Sequence, residues 1–64
     1  MKPRNQAIAD LNSNGYEFKR HGANHDIYLN KELGCMIPLK RHDFNENDLT
    51  YIRKEIKHNQ RGRG

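Results

Sequence analysis

Two parts of the chain show apolar residues at helical spacing. In the first part these residues are Ala7, Ile8 and Leu11. A proline before them and a glycine after them suit a helix start and stop, so the pattern predicts a helix over residues 3–14. In the second part the apolar residues are Leu49, Ile52 and Ile56. Asn45 precedes this stripe as an N-cap, which predicts a second helix beginning directly after it.

The segment between these helices has the alternation of three short strands, over residues 16–20, 25–29 and 35–39. Turn-forming residues separate the strands, and Pro38 places the end of the third strand at an edge or exit position. The predicted order is α-β-β-β-α. It indicates an α+β domain with a three-stranded antiparallel sheet, both helices on one face and the other face open.

Length and composition limit the chain to one small domain, residues 1–64, whose glycine- and arginine-rich end predicts a flexible basic tail over residues 58–64. A single cysteine, Cys35, excludes an intramolecular disulfide, and with four dispersed histidines it does not predict a metal site. No cofactor is predicted. Apolar runs are too short for a secretion signal or a membrane span, which predicts a cytoplasmic protein without a membrane partner.

The net charge of +4 suggests a polyanionic partner, either nucleic acid or an acidic protein. Excess lysine and arginine also keep small proteins soluble, so charge alone does not decide between these interpretations. The three tyrosines could stack on bases, although their spacing favours packing in the core. These tyrosines are Tyr16, Tyr28 and Tyr51.

Histidines and cations concentrate in two short segments that a three-stranded sheet can bring together. The first segment contains Lys19, Arg20, His21 and His25, and the second contains Lys40, Arg41 and His42. A histidine flanked by cations is what metal-free RNA cleavage needs, because imidazole accepts a proton near neutral pH and cations stabilise charge on phosphate oxygens. The same residues also suit an ordinary solvated surface, and composition does not separate the two.

The sequence around the first hairpin resembles the HicA (YcfA-like) mRNA interferase toxins. The similarity runs through residues 15–20 (GYEFKR) and 22–28 (GANHDIY), and continues in Ile37-Pro38 and the closing segment 48–56. It covers about residues 5–57, and the order and spacing of its motifs are more specific than any one of them. Ala23 stands where these toxins usually have serine.

The resemblance implies a double-stranded-RNA-binding-domain-like fold, which agrees with the predicted order of elements. It also implies ribosome-independent cleavage of mRNA by one essential histidine, here His25, and inhibition by a cognate HicB-type antitoxin. Asp26 follows this histidine. Its carboxylate either acts on the imidazole or lies on the other face of the strand.

The sequence therefore predicts a metal-independent endoribonuclease in which His25 is the general base and the products carry 2′,3′-cyclic phosphate and 5′-hydroxyl ends. The predicted backbone-binding residues are Lys19, Arg20, Lys40 and Arg41, and the candidates for a second acid or base are His21 and His42. Two alternatives stay open: an RNA-binding module of the same fold without chemistry, and a protein-interaction subunit that docks a partner on its open sheet face or edge.

Overall fold

The computed structural model describes residues 1–63 and confirms the predicted order of elements. These are α1 (Pro3–Ser13), β1 (Glu17–His21), β2 (His25–Asn30), β3 (Cys35–Lys40) and α2 (Glu46–Arg63). The strands form one antiparallel sheet in the order β1-β2-β3, with β2 in the centre. None of the helices in this part of the chain combines the length and apolar character needed to cross a membrane.

Helix α1 ends in a Schellman motif that also starts the path into β1. The Tyr16 amide donates to the Leu11 carbonyl at 2.9 Å, and the Gly15 amide donates to the Asn12 carbonyl at 3.2 Å. Gly15 has φ +89°, a left-handed conformation that residues with a side chain rarely adopt. The side chains of Tyr16 and Leu11 are both fully buried, so the motif fixes the helix end and places the first tyrosine in the core.

Helix α2 begins at the predicted cap. Asn45 Oδ1 accepts hydrogen bonds from the amides of Asn47 and Asp48, while Asp48 Oδ2 accepts one from the Asn45 amide in return. This reciprocal arrangement satisfies amides that would otherwise lack partners in the first turn.

The far end of α2 differs from the predicted flexible tail over residues 58–64, because the helix continues through Arg63. Two amide side chains in its last turns contact residues that directly follow α1. Asn59 Nδ2 donates to the Tyr16 hydroxyl at 3.0 Å, and Gln60 Nε2 donates to Asn14 Oδ1 at 2.9 Å. These contacts hold a segment that glycine-rich composition alone predicts to be loose. Gly64 lies outside the described residues.

The core lies between the helices and one face of the sheet. It contains Ala7, Leu11, Tyr16, Tyr28, Ile37, Leu39, Leu49, Ile52 and Ile56. The predicted apolar stripe of α2 is therefore confirmed, and so is the packing of two of the three tyrosines. Tyr51 is the exception: it is 56% exposed, so the prediction that it packs in the core is wrong. It lies two residues after Leu49 and is off the stripe that faces the sheet.

Alternation along the sheet separates a helix side from an open face. On β2, Asp26, Tyr28 and Asn30 are buried toward the helices, and the residues between them belong to the open face. The helices cover β2 and β3, with α2 on β3 and α1 against α2, whereas all five residues of β1 are exposed. The helix side of β1 is therefore an uncovered shelf.

A β-bulge in β1 changes which of its residues share a face. Phe18 pairs with Tyr28 and His21 pairs with Asp26, and the register shifts between Phe18 and Arg20. Because Tyr28 and Asp26 are both on the helix side, Phe18 and His21 share that side although they are three residues apart. In a regular strand, residues three apart lie on opposite faces.

Candidate functional site

The two predicted segments meet at one end of the sheet, which we call the hairpin end and define as residues 21–26 with Lys40 and Arg41. The β1–β2 turn closes there, and the Gly22 amide donates to the His25 carbonyl at 2.6 Å. His25 pairs with Lys40 on β3, and the Arg41 amide donates to the Asn24 carbonyl at 3.2 Å. The structure thus brings together cations and imidazoles that are about 15 to 20 residues apart in the chain.

His25 lies on the open face and its side chain is exposed. Its neighbour across the hairpin, Gly22, has no side chain to cover it, and a β-carbon placed there would lie 3.0 Å from the His25 carbonyl oxygen. Within residues 1–63 the imidazole of His25 makes no hydrogen bond to a side chain or backbone group. The ring is therefore accessible, and no neighbouring group fixes its tautomer.

A shallow depression extends from His25 across the edge of β3 to α2. It is lined by His25, Pro38, Lys40, Phe44, Asp48, Tyr51 and Ile52. The exposed ring of Tyr51 at its rim is the kind of aromatic surface on which an unpaired base stacks. The depression thus combines an imidazole, an ammonium group and an aromatic ring.

A buried carboxylate organises the helix side of the hairpin end. The Asp26 side chain is 11% exposed and has three cationic or imidazole partners. Arg4 Nη2 donates to its Oδ2 at 2.7 Å, Arg41 Nη1 donates to its Oδ1 at 3.1 Å, and His21 Nδ1 lies 2.7 Å from the same Oδ1. These partners come from α1, from the segment after β3 and from β1, so one side chain joins three parts of the fold.

The surroundings keep Asp26 ionised. The hydrogen bond with His21 is the largest cause lowering the pKa of Asp26, and those from Arg41 and Arg4 add to it. Burial acts in the opposite direction, and the resulting pKa is about 2 instead of the ordinary 3.8. Because an ionised carboxylate only accepts hydrogen bonds, the proton between the two side chains belongs to His21 Nδ1.

Arg41 is held by the turn it faces. In addition to Asp26, its guanidinium donates to the Ala23 carbonyl at 2.6 Å and to the His25 carbonyl at 3.4 Å. Several donors of Arg41 thus hold the turn that carries His25, while its predicted role in binding phosphate stays a prediction. Arg4 assists from α1, because its Nε donates to the Lys40 carbonyl at 3.0 Å.

The remaining predicted site residues lie around this cluster. Lys19 is the extra residue of the bulge, and Arg20 pairs with Ile27 on the open face; both are exposed. Lys40 is partly engaged, with Nζ 3.3 Å from the Asp43 carbonyl and 3.6 Å from Asp48 Oδ2. His42 is exposed in the bend after β3.

His21 and His25 lie on opposite sides of the sheet. His21 shares the helix side with Asp26, and His25, which directly precedes Asp26 on β2, faces the other way. A single ribose therefore does not reach both imidazoles. The sequence left two alternatives for Asp26: it acts on His25, or it lies on the other face of the strand. The structure shows the second.

Sequence reasoning missed four residues of this region: Arg4, Phe18, Asp26 as a hub, and the exposed Tyr51. The sequence pattern indicates the positions of two of these residues, Arg4 and Asp26. Arg4 lies three residues before Ala7 and so on the sheet-facing stripe of α1, and Asp26 alternates with an open-face residue. Phe18 had no such sign, since the bulge that moves it relative to His21 is not readable from the pattern of β1.

No family model, curated protein or solved structure matches this chain in comparisons with known proteins. Across residues 1–63, no group of three or more histidine, cysteine, aspartate or glutamate side chains is arranged to hold a metal ion.

Proposed function

We propose that this protein is a metal-independent endoribonuclease that cleaves single-stranded mRNA at the hairpin end, with His25 as general base. The observation that carries the proposal is the exposed imidazole of His25, which makes no hydrogen bond within residues 1–63 and whose residue lies opposite the cationic Lys40 in the strand register. The resemblance to HicA-type toxins, which depends on this same turn, supports the choice of His25.

The reaction follows from the chemistry of RNA. His25 takes the proton from a ribose 2′-hydroxyl, the 2′-oxygen forms a bond to the adjacent phosphorus, and the bond from phosphorus to the 5′-oxygen breaks. The 5′-oxygen takes a proton from solvent, which gives a 2′,3′-cyclic phosphate and a 5′-hydroxyl end. The Lys40 ammonium and the exposed side chains of Lys19 and Arg20 supply positive charge for the phosphate backbone.

An inhibitor protein is part of the proposal. The resemblance to HicA-type toxins implies such a partner, and an acidic antitoxin of the HicB type would associate rapidly with a chain of net charge +4. The open face offers apolar contact area for such a partner, because Met36 is 50% exposed and Pro38 follows it two residues along β3, on the same face and toward His25.

The test compares the native protein with a His25→Ala variant on end-labelled single-stranded RNA in EDTA. We expect the native protein to produce cyclic-phosphate ends and the variant to cut about 100- to 10,000-fold more slowly. A His58→Ala variant is the matched control, since that histidine is exposed on α2 away from the hairpin end. Equal cutting by native and His25→Ala protein would falsify the role of His25.

Two other results would favour the alternatives. Salt-sensitive RNA binding without cutting by either protein indicates a binding module, because phosphate contacts weaken steeply as salt increases. Absence of both cutting and binding indicates a protein-interaction subunit.

A further inference from the structure

The shelf on the helix side of β1 carries a second group of residues that the cleavage proposal does not use. His21 and Phe18 are neighbours there, with ring centroids 4.9 Å apart, and Phe18 also packs edge-on against Tyr28 at 6.0 Å. Phe18 is nevertheless 48% exposed. An aromatic ring that is held in place and still half open to solvent is suited to stacking with another flat group.

The bond to Asp26 determines what His21 offers at this surface. The ionised carboxylate accepts the proton on Nδ1, so in the neutral form of the ring the free lone pair lies on Nε2. The side chain is 71% exposed, so Nε2 is available to an incoming hydroxyl. His21 is thus an oriented hydrogen-bond acceptor, in contrast to His25.

Asp26 does not need His21 to be satisfied. Arg4 donates to one carboxylate oxygen and Arg41 to the other, so both oxygens have a charged partner without the imidazole. The imidazole is 71% exposed, and solvent screening limits what its contact with Asp26 adds to stability. The contact thus fixes the direction of the imidazole while helping to keep the carboxylate ionised.

We infer that Phe18, His21 and Asp26 form a second nucleotide site, specific for single-stranded RNA. In this site a base stacks on Phe18, and Nε2 of His21 accepts a hydrogen bond from the ribose 2′-hydroxyl. The 2′-hydroxyl distinguishes RNA from DNA, so a fixed acceptor at this position gives preference for RNA. The choice of RNA as ligand rests on the proposed function, whereas the site itself is separate from His25.

The surface next to Phe18 can continue the path of a bound strand. A cleft of about 360 Å³ adjoins Phe18 toward the other end of the sheet. Lys19, Lys31 and the open-face residue Leu29 are among the residues that line it, so the cleft extends beyond the shelf to the open-face side of β1. Glu17 and Glu32 also line this cleft, so its positive charge is partly offset. One or two phosphates next to the stacked base would meet the lysine ammonium groups there.

The test measures binding in a His25→Ala background, so that cleavage at His25 does not consume the RNA. The probes are a short uridine oligonucleotide and its deoxyuridine counterpart, and the readouts are affinity and the NMR signals of the Phe18 and His21 rings. We expect RNA to bind about 3- to 10-fold more tightly than DNA, as one added hydrogen bond allows. Both ring signals should shift on titration, and the ¹⁵N signals of His21 should show a protonated Nδ1.

Two added variants separate the contributions. His21→Ala should abolish the preference for RNA, because alanine has no side-chain acceptor for the 2′-hydroxyl. Phe18→Leu should weaken RNA and DNA binding alike by about 10-fold, because base stacking does not sense the sugar. His58→Ala is again the control and should change neither.

The inference is overturned if the two ring signals stay unmoved on titration, or if His21→Ala keeps the full preference for RNA. These results do not depend on whether the native protein cuts RNA. A cleavage assay of the native protein therefore tests the proposed function independently. The NMR titration needs no variant at Phe18 or His21, so it remains decisive if a substitution on the shelf fails to fold.

Discussion

The two histidines at the hairpin end are four residues apart and have opposite surroundings. His25, on the open face, is exposed, faces a glycine across the hairpin and has no hydrogen-bond partner for its ring within the described part of the chain. His21, on the helix side, is also exposed to solvent, but one of its nitrogens is hydrogen-bonded to a buried carboxylate. The first imidazole is free to turn toward a substrate, and the second is oriented before any ligand arrives.

The difference separates accessibility from orientation. A general base needs access to the proton it removes, and a recognition group needs a fixed direction. In this fold the two properties belong to different residues because alternation along β2 places His25 and Asp26 on opposite sides. The carboxylate next to His25 in sequence thus serves a histidine on another strand.

The largest effect on stability is expected when the carboxylate of Asp26, which contacts Arg4, His21 and Arg41, is removed. Asp26→Ala leaves two half-buried guanidinium groups, those of Arg4 and Arg41, without their counter-charge. We expect a loss of about 3 kcal/mol in the free energy of unfolding, measured by urea denaturation. A midpoint equal to that of the native protein would show that the cluster contributes nothing to the fold.

Removal of Arg41 tests how the turn that carries His25 is held. Arg41→Ala deletes the donors that hold the Ala23 and His25 carbonyls, and we expect a loss of about 2 kcal/mol together with faster amide exchange in residues 22–25. Exchange rates by NMR provide the measurement, and Lys54→Ala, an exposed substitution on α2, provides the control. Unchanged exchange in the turn would contradict the role of Arg41 as a clamp.

Acid should weaken the same cluster. The pKa of Asp26 in the folded protein, about 2, lies below its ordinary 3.8, so the stability it contributes is present above pH 4 and is lost as the pH falls through 2. Its partners in this window are Arg4, His21 and Arg41. We expect Asp26 to account for roughly 1 to 2 kcal/mol of this loss, allowing for solvent screening.

The comparison that isolates this contribution is the native protein against Asp26→Asn, with unfolding followed between pH 4 and pH 2. The stability difference between the two should shrink toward pH 2. If it stays constant, the pH dependence arises from other carboxylates.

The smallest effect is expected for the imidazole itself. His21→Gln should change the free energy of unfolding by less than about 0.5 kcal/mol, because the ring is 71% exposed and both oxygens of Asp26 keep a guanidinium partner. Thermal unfolding of the variant measures this directly. A loss as large as that of Asp26→Ala would make His21 a structural residue and would remove the basis for an RNA site on the shelf.

The fold was largely predictable because its elements depend on local patterns. Spacing of apolar residues located both helices, Asn45 identified the start of α2, and alternation located the three strands to within one or two residues. The end of α2 was not predictable, since the amides of Asn59 and Gln60 find partners more than 40 residues away in sequence.

The site was predictable only as a collection of residues. Charge and histidine content pointed to two segments that the structure brings together at the hairpin end, but which side chain faces which depends on register. Arginine is a residue type that commonly binds phosphate, but in this structure the Arg41 guanidinium donates to the Ala23 carbonyl and holds the turn. The pairing of His21 with Asp26 requires both the strand alignment and the bulge, and neither is written in local sequence.

The bulge in β1 also bears on self-association. An outer strand presents a row of free amides and carbonyls to which a strand of another molecule can bind, and this is a common route to aggregation. Here the extra residue, Lys19, interrupts that row and places a charged side chain within it. A second molecule therefore meets an irregular, charged border at β1, and we expect concentrated solutions of the protein to resist growth into extended intermolecular sheets.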